Sequence, residues 1–133
     1  MNQGFGRDKR LLDAKEFKAV FDSPDYRLSG RCILVLARHN KSGQPRLGLV
    51  VGKKNTKLAV TRNRIKRNIR EFFRQHQGNL PDVDMVVITR RGITELSPVE
   101  LRQELARQAK RLQHQYRKAR NTSSALQAGH PHA

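Results

Sequence analysis

The stretch that most constrains the fold is a long basic segment in the middle of the chain, Lys57 to Arg74, with the sequence KLAVTRNRIKRNIREFFR. No proline or glycine interrupts it, so it predicts a helix. At about 100° per residue, its large apolar side chains fall within an arc of roughly 100°. These side chains are Ile65, Ile69, Phe72 and Phe73. This arc predicts a face that packs on a sheet.

The rest of this helix is strongly positive. Five of the nine residues from Arg62 to Arg70 are Arg or Lys, and Glu71 is the only acid of the helix. A merely solvated face usually mixes charges of both signs. Guanidinium and ammonium groups match phosphate oxygens in charge, and Arg matches them in fork geometry as well. The pattern therefore favours a face that binds nucleic acid.

The composition agrees with a polyanionic partner. The 133 residues fit one domain with a modest core, since only 36% of them are hydrophobic. The net charge is +17, which is costly to the compact state unless a polyanion neutralises it. Nucleic acid is the predicted partner. No membrane partner is expected, because no long apolar run is present, and no protein partner is predicted.

The N-terminal residues and the single cysteine both bear on the compartment. The sequence MNQGFGRDKR lacks the apolar segment of a secretory signal. Cys32 cannot form an internal disulfide, and the reducing cytosol is its natural surrounding. We therefore expect a cytoplasmic protein. Cys32 lies in an apolar run with no His or Asp near it, so it is interpreted as a core thiol rather than a nucleophile.

A short helix is predicted near the start of the chain. Asp13 and Glu16 have the spacing of a capping box, and the helix is expected to end near residues 22–24. Such a helix is too short to be stable alone and must dock on another element. Phe17 and Phe21 lie on one of its sides. They are either core docking residues or the wall of a binding site.

Two long strands are predicted next. Arg31–Arg38 is apolar on both alternating sides, which indicates a central strand. Arg46–Lys53 follows a turn-forming segment and is expected to pair with the first strand as a hairpin. Its Gly48 and Gly52 leave a shallow surface that a packed helix or a ligand strand can approach.

The second half of the chain predicts a strand and a long helix. Val83–Arg90 follows the basic helix, so the strand–helix–strand order implies parallel pairing or at least a shared sheet. A second capping box begins at Ser97, and its helix is expected to run to about Arg117. Its predicted packing side carries Leu101, Leu105, Leu112 and Tyr116. The predicted fold is an α+β sandwich.

The chain is predicted to divide into a single RNA-binding domain, residues 1–119, and a disordered tail, residues 120–133. His130 and His132 in the tail are interpreted as solvated residues rather than metal ligands.

The sequence shows no catalytic constellation. Asp and Glu total 11 and are scattered, and Asp82 and Asp84 have no matching His. No zinc-finger spacing, Walker loop or nucleotide-binding glycine motif occurs. No catalytic residue and no metal ligand is predicted, which disfavours a self-sufficient nuclease. A ribosomal or RNA-chaperone protein would share the basic α+β character and is the alternative.

The segment GLVVGKKNTKLAVTRNRIKRNIREFFR resembles the signature of the protein subunit of bacterial ribonuclease P. The resemblance extends over roughly Leu11 to Tyr116. It implies a two-layer α/β sandwich with a central mixed sheet and a left-handed βαβ crossover, against the general rule. It also implies that an RNA subunit is the catalyst. By the same resemblance, this RNA would hold most of the Mg2+ and would remove the 5′ leader of precursor tRNA.

The resemblance further implies two sets of site residues. The catalytic RNA subunit would contact Arg62, Asn63, Arg64, Lys66, Arg67 and Arg70. The leader of precursor tRNA would lie in a cleft formed by Phe17, Phe21, Leu36, Gly48, Val50, Gly52, Lys53 and Lys54. Many members place an aromatic residue on the central strand. Arg31–Arg38 has none, so Leu36 is expected to take that place with aliphatic packing.

Overall fold

The computed structural model describes residues 11–128, and side chains are described as far as Arg120. The described part contains three α-helices, four strands and two short 3-10 turns. In chain order they are α1 (Ala14–Asp22), β1 (Tyr26–Ser29), β2 (Ile33–His39), β3 (Arg46–Val50), α2 (Ala59–His76), a 3-10 turn (Gln77–Asn79), β4 (Val83–Thr89), a 3-10 turn (Ile93–Glu95) and α3 (Pro98–Ala128).

The four strands form one mixed sheet in the order β1-β2-β4-β3. β1 pairs with β2 and β2 with β4 in antiparallel fashion, whereas β3 and β4 are parallel. The parallel pair is joined through α2, so the predicted βαβ unit and the α+β class are confirmed. The handedness of this crossover stays a prediction.

The predicted hairpin between the first two long strands is wrong. β4 lies between β2 and β3, so these two strands are not neighbours. A short strand that the sequence analysis missed, β1, pairs with β2 on its other edge. β2 is nevertheless central, as its apolar sides predict. β3 is also shorter than expected, because the chain turns after Val51 and the Thr56 N–H donates to the Gly52 carbonyl.

The larger core lies on the face of the sheet that α2 and α3 cover. The four apolar side chains predicted for α2 are all buried. α3 adds Leu101, Leu105 and Leu112, with Tyr116 partly buried beside them. Cys32 belongs to the same core, which confirms its interpretation as a core thiol.

A smaller apolar cluster lies on the opposite face of the sheet, under α1. Its buried members are Leu12, Val20, Leu34, Leu36 and Val86, and Phe17, Val50 and Ile88 are partly buried against them. The two clusters use alternate residues of β2 and β4, as the pleat of a strand requires. Helix α1 therefore docks on the face that α2 and α3 leave open.

Side-chain capping boxes are present at the start of the first helix, α1, and of the last helix, α3. The predicted capping box of α1 is present: the Glu16 N–H donates to Asp13 and the Asp13 N–H donates to Glu16, at 2.8 and 2.9 Å. The second predicted box is also present, between Ser97 and Glu100 at the start of α3. The hydrogen bonds from Ser97 hold the pKa of Glu100 below its ordinary value.

α3 is longer than its predicted end near Arg117 and continues to Ala128. The helix thus overlaps the segment 120–133 for which the sequence predicts a disordered tail. Residues 1–10 and 129–133, including His130 and His132, lie outside the described residues. The division of the chain at residue 119 stays a prediction.

The aromatic ring of Phe17 packs against Gly48 on β3. A Cβ atom added to Gly48 would lie 2.5 Å from Cζ of Phe17, closer than real Cβ contacts come. The sequence left open whether a packed helix or a ligand strand approaches the glycines of β3. At Gly48, the structure shows a packed helix, α1. The close docking of α1 therefore depends on the missing side chain at position 48.

Replacing Gly48 by Ala should force Phe17 away from the sheet and lower the free energy of unfolding by about 1–3 kcal/mol. Chemical denaturation measures the change. The matched control is Gly52→Ala, because nothing lies within 4 Å of a Cβ atom added there. We expect the control to change the stability by less than about 0.5 kcal/mol. Equal effects of the two substitutions would contradict the packing of Phe17 on Gly48.

Candidate nucleic-acid interface

The exposed side of α2 carries a positive surface, here called the α2 face. Asn63, Arg64, Arg67 and Arg70 are exposed, and Lys66 is half-buried. Within residues 11–120, no acidic side chain forms an ion pair with these cations. Their charges therefore face solvent, where phosphate groups can reach them.

The single acid of α2 does not neutralise this surface. Glu71 pairs with Arg74 three residues later, with 2.5 Å between Oε2 and Nη2. The hydrogen bond from Arg74 lowers the pKa of Glu71, so this carboxylate stays charged and paired. The pair lies towards the C-terminal end of the helix, and the exposed cations that precede it remain uncompensated.

Arg62 has a different environment from the other predicted contacts. Its Nη1 donates to the carbonyl oxygens of Thr56 and Lys57, at 3.0 and 2.9 Å. α2 has no side-chain cap, since the residue at the N-cap is Leu58. Arg62 instead holds the preceding loop against the first turn of the helix. The structure thus gives Arg62 a positioning role within the protein.

The loop held by Arg62 continues the positive surface towards the end of β3. Lys53 and Lys54 are exposed in the turn between β3 and α2. The Asn55 amide lies 3.5 Å from the Thr89 carbonyl of the neighbouring strand, β4. The loop is thus tied both to the sheet and to α2, and it places the two lysines beside the C-terminal end of β3.

A partly open apolar surface lies beside α1 and is here called the α1 cleft. It comprises Phe17, Val50 and Ile88, which pack against the smaller core, and Phe21, whose ring stacks on Phe17. The rings of Phe17 and Phe21 are stacked, with centroids 6.3 Å apart and an interplanar angle of 15°. Phe21 is 45% exposed, and the other three are partly buried. These aromatic and aliphatic surfaces are available for a planar ligand group.

Three residues predicted for this cleft have other surroundings. Leu36 is only 4% exposed beneath α1, so its side chain is in the smaller core rather than at the surface. Gly48 is covered by Phe17. Gly52 lies beyond the end of β3, in the turn. Of the predicted sheet residues, only Val50 has its side chain at the edge of the cleft.

The sequence analysis missed two residues on this face. Ile88 alternates with buried Val86 along β4, so the period of the strand was a signal that could have found it. Arg27 pairs in register with Leu36 and therefore shares its face of the sheet, and it is exposed. Arg27 was missed because β1 itself was missed.

The position of α1 over the sheet is fixed by charged groups. Arg46 on β3 forms two hydrogen bonds with Asp84 on β4, at 2.7 and 2.9 Å, and its Nη1 lies 2.6 Å from Oε2 of Glu16 on α1. The hydrogen bond to Asp84 raises the pKa of Arg46. Arg38 also donates to the Ala19 carbonyl of α1, at 3.1 Å. These bonds hold α1 against β2, β3 and β4.

Between residues 11 and 120, no group of three or more His, Cys, Asp and Glu side chains is placed to hold a metal ion. None of the described helices has the length and apolar character needed to span a membrane.

A basic α+β domain with a positive helix face, a lysine-bearing loop and a partly open aromatic cleft defines a nucleic-acid-binding protein. Comparison with known protein families identifies the particular class of nucleic-acid-binding protein. The family model described as Ribonuclease P matches residues 5–113. The chain belongs to the ribonuclease P protein family.

Individual relatives agree with this assignment. The chain is 55% identical over 112 residues to the ribonuclease P protein component of Stutzerimonas stutzeri, covering 84% of this chain and 86% of that protein. It is 47% identical over 133 residues to that of Azotobacter vinelandii, covering 100% and 99%. The solved structure of the RNase P protein from Thermotoga maritima is 33% identical, with a TM-score of 0.68, covering 75% of this chain and 94% of that one.

The environments of Arg62 and Arg67 predict different effects of their removal on the stability of the fold. Arg62→Ala should lower the free energy of unfolding by about 1.5 kcal/mol, because two charge-assisted hydrogen bonds to the loop are lost. Arg67→Ala removes the same group from an exposed position and should change the stability by less than about 0.5 kcal/mol. Thermal unfolding of the two variants without RNA makes the comparison. Equal melting temperatures would show that Arg62 does not hold the loop.

Proposed function

We propose that this chain is the protein subunit of ribonuclease P that binds the catalytic RNA through the α2 face and the 5′ leader of precursor tRNA in the α1 cleft. The RNA subunit cleaves the leader, and the protein acts by binding and positioning. The observation that carries the proposal is the separation of two unlike surfaces on opposite faces of one sheet, joined by the loop that bears Lys53 and Lys54.

The α2 face suits a folded RNA. Its cations project from one rigid helix that is anchored by four buried apolar side chains. Arg64, Arg67 and Arg70 offer guanidinium forks to phosphate oxygens, and Asn63 adds an amide that both donates and accepts hydrogen bonds. A rigid row of such groups matches a row of phosphates at little entropic cost.

The α1 cleft suits a single strand. Unpaired bases stack on aromatic side chains, and every base has a π-face, so such binding tolerates different sequences. Phe21 offers the more exposed ring, while Phe17 supports it from the sheet side. Lys53 and Lys54 lie past the end of β3, where they can attract the phosphates of the same strand. A leader without a fixed sequence needs this combination of stacking and charge.

The magnesium ions expected for this family are assigned mainly to the RNA subunit. Among the described side chains, no group of three or more His, Cys, Asp and Glu could hold such an ion. The proposed compartment is the cytoplasm. The family match also disfavours the alternative of a ribosomal or RNA-chaperone protein.

Replacing Arg64, Arg67 and Arg70 together by Ala should weaken binding to the catalytic RNA. Each lost phosphate contact reduces the slope of log affinity against log salt by about 0.7–0.9, so the triple variant should have a slope smaller by about 2–3. A salt titration of the binding of the purified catalytic RNA measures this slope.

The control is a triple variant of exposed cations elsewhere, Lys15→Ala, Lys41→Ala and Arg102→Ala, which has the same change in net charge. We expect its salt slope to stay close to that of the parent. If both triple variants lose the same slope, the RNA responds to total charge and the α2 face is not its binding surface.

Phe21→Ala should weaken the binding of precursor tRNA to the assembled enzyme, by about 1–3 kcal/mol if one base stacks on the ring. Mature tRNA lacks the leader and should bind with unchanged affinity. The measurement is the difference between the two affinities, in the parent and in the variant.

Phe21→Tyr keeps the ring and should retain the affinity for precursor tRNA. Val99→Ala removes a comparably exposed apolar group from α3 and should alter neither affinity. An equal loss for precursor and mature tRNA in Phe21→Ala would exclude a role in leader binding.

A further inference from the structure

A pocket of about 520 Å³ opens between α3 and the segment that precedes β4. It is here called the α3 pocket. The α3 side is formed by four residues at spacings of three and four, which therefore share one stripe of the helix. The lining consists of Gln113, Tyr116, Arg117 and Arg120 from α3, and Gly78, Asn79, Leu80 and Pro81 from the opposite segment. The volume lies within the usual range of about 300–1,000 Å³ for small-ligand sites.

The α3 pocket is separate from both surfaces already described. It adjoins the 3-10 turn Gln77–Asn79 at the C-terminal end of α2. Arg70, the last cation of the α2 face, lies six residues before His76 at the end of α2, which is roughly 9 Å along the helix axis, and the other cations of that face are farther from the pocket. Tyr116 packs against the core between the sheet and α3, whereas the α1 cleft lies on the other side of the sheet.

Tyr116 provides an aromatic surface that is held in place. Its ring lies 5.3 Å from the ring of His39, centroid to centroid, with an interplanar angle of 32°. His39 is itself joined to Tyr26 by a hydrogen bond of 2.9 Å between Nε2 and the tyrosine hydroxyl. Because these neighbours fix the ring before a ligand arrives, stacking on it costs little conformational entropy.

The charged groups of the pocket are positive and open to a ligand. Arg117 and Arg120 are exposed, and Cζ of Arg120 lies 6.0 Å from the centroid of the Tyr116 ring. No ion pair within residues 11–120 includes either guanidinium. The side-chain amides of Asn79 and Gln113 add hydrogen-bond donors and acceptors to the same lining.

An aromatic ring, two guanidinium groups and two amides are complementary to the parts of one nucleotide. The ring can stack on a base, the guanidinium groups can bind the phosphate, and the amides can reach the polar edge of the base. A paired nucleotide in a helix cannot enter, because its base is stacked between neighbours and its edge is occupied. The complementarity is therefore to an unpaired nucleotide.

We propose that the α3 pocket binds one nucleotide of single-stranded RNA, with its base against Tyr116 and its phosphate at Arg117 and Arg120. The inference rests on the proposed function for the kind of partner, but it concerns a separate surface. Two sources supply this chemistry, an unpaired segment of the catalytic RNA and an unpaired segment of precursor tRNA.

The first test compares Arg117→Ala/Arg120→Ala with the matched control Arg102→Ala/Lys110→Ala, which also removes two exposed cations from α3. One single-strand phosphate, held by both guanidinium groups, contributes about 0.7 to the salt slope, so the advantage of the parent over the pocket variant should narrow by a factor of about 2.6 between 50 and 200 mM salt. Binding is measured to the catalytic RNA alone and, for the assembled enzyme, to precursor tRNA. The RNA whose binding shows the reduced salt slope is the one that supplies the nucleotide. The control variant should keep the salt slope of the parent for both RNAs.

The second test adds an obstacle instead of removing a contact. Nothing lies within 4 Å of a Cβ atom added to Gly78, so Gly78→Glu introduces a carboxylate at the pocket without a clash. It should weaken binding in the same arm as the arginine variant. RNA carrying 4-thiouridine should crosslink to the peptide that contains Tyr116 in the parent, and this crosslink should be lost in Gly78→Glu.

The inference would be overturned if both pocket variants bound both RNAs with the affinity and salt slope of the parent, and if no crosslink formed at Tyr116. The α2 triple variant is measured in parallel. If it loses RNA affinity while the pocket variants do not, only the α3 pocket is excluded. If it binds normally as well, the proposed function is also wrong.

Discussion

The ion-paired hydrogen bonds of Arg46 determine where the first helix lies. Asp84 is 7% exposed, and a carboxylate so enclosed is stable only when its oxygens are bonded. Arg46 and Asn40 provide those bonds, and the remaining nitrogen of Arg46 reaches Glu16. Glu16 also closes the capping box that starts α1. One guanidinium thus joins β3, β4 and α1.

The sequence predicts the helices well because their signals are local. Both capping boxes lie within four residues, and the apolar arc of α2 depends only on the helical period. The neighbours of a strand depend instead on residues far along the chain. The turn-forming segment 40–45 suits a hairpin as well as a passage across the end of β4. β1 has only four residues, with alternating burial, and so short a run between Pro24 and Gly30 gives little periodic signal.

The candidate site also has a part that local sequence predicts and a part that it does not. The exposed cations of the α2 face follow from the helical period, because one buried arc defines the opposite side. Arg62 departs from this rule because it lies in the first turn, where the carbonyls of the preceding loop are within its reach. Two residues predicted for the leader cleft lie beneath α1 for a different reason. Gly48 and Leu36 are covered by α1, and no local pattern tells where a docking helix will come to rest. What stays open beside it is the aliphatic edge formed by Val50 and Ile88, in place of an aromatic residue on the sheet.

The charges of the folded chain explain why binding needs more than attraction. Several carboxylates are paired with arginines of the same chain: Glu16 and Asp84 with Arg46, Glu71 with Arg74, and Glu104 with Arg107. They therefore leave the α2 face positive within a chain of net charge +17. RNA would stabilise the fold only as far as it binds the folded chain better than the unfolded one. An unfolded chain of the same charge also attracts phosphates, so attraction alone discriminates weakly. The discrimination must come from contacts that require fixed geometry, namely a rigid row of guanidinium groups and an aromatic ring held at the edge of the sheet.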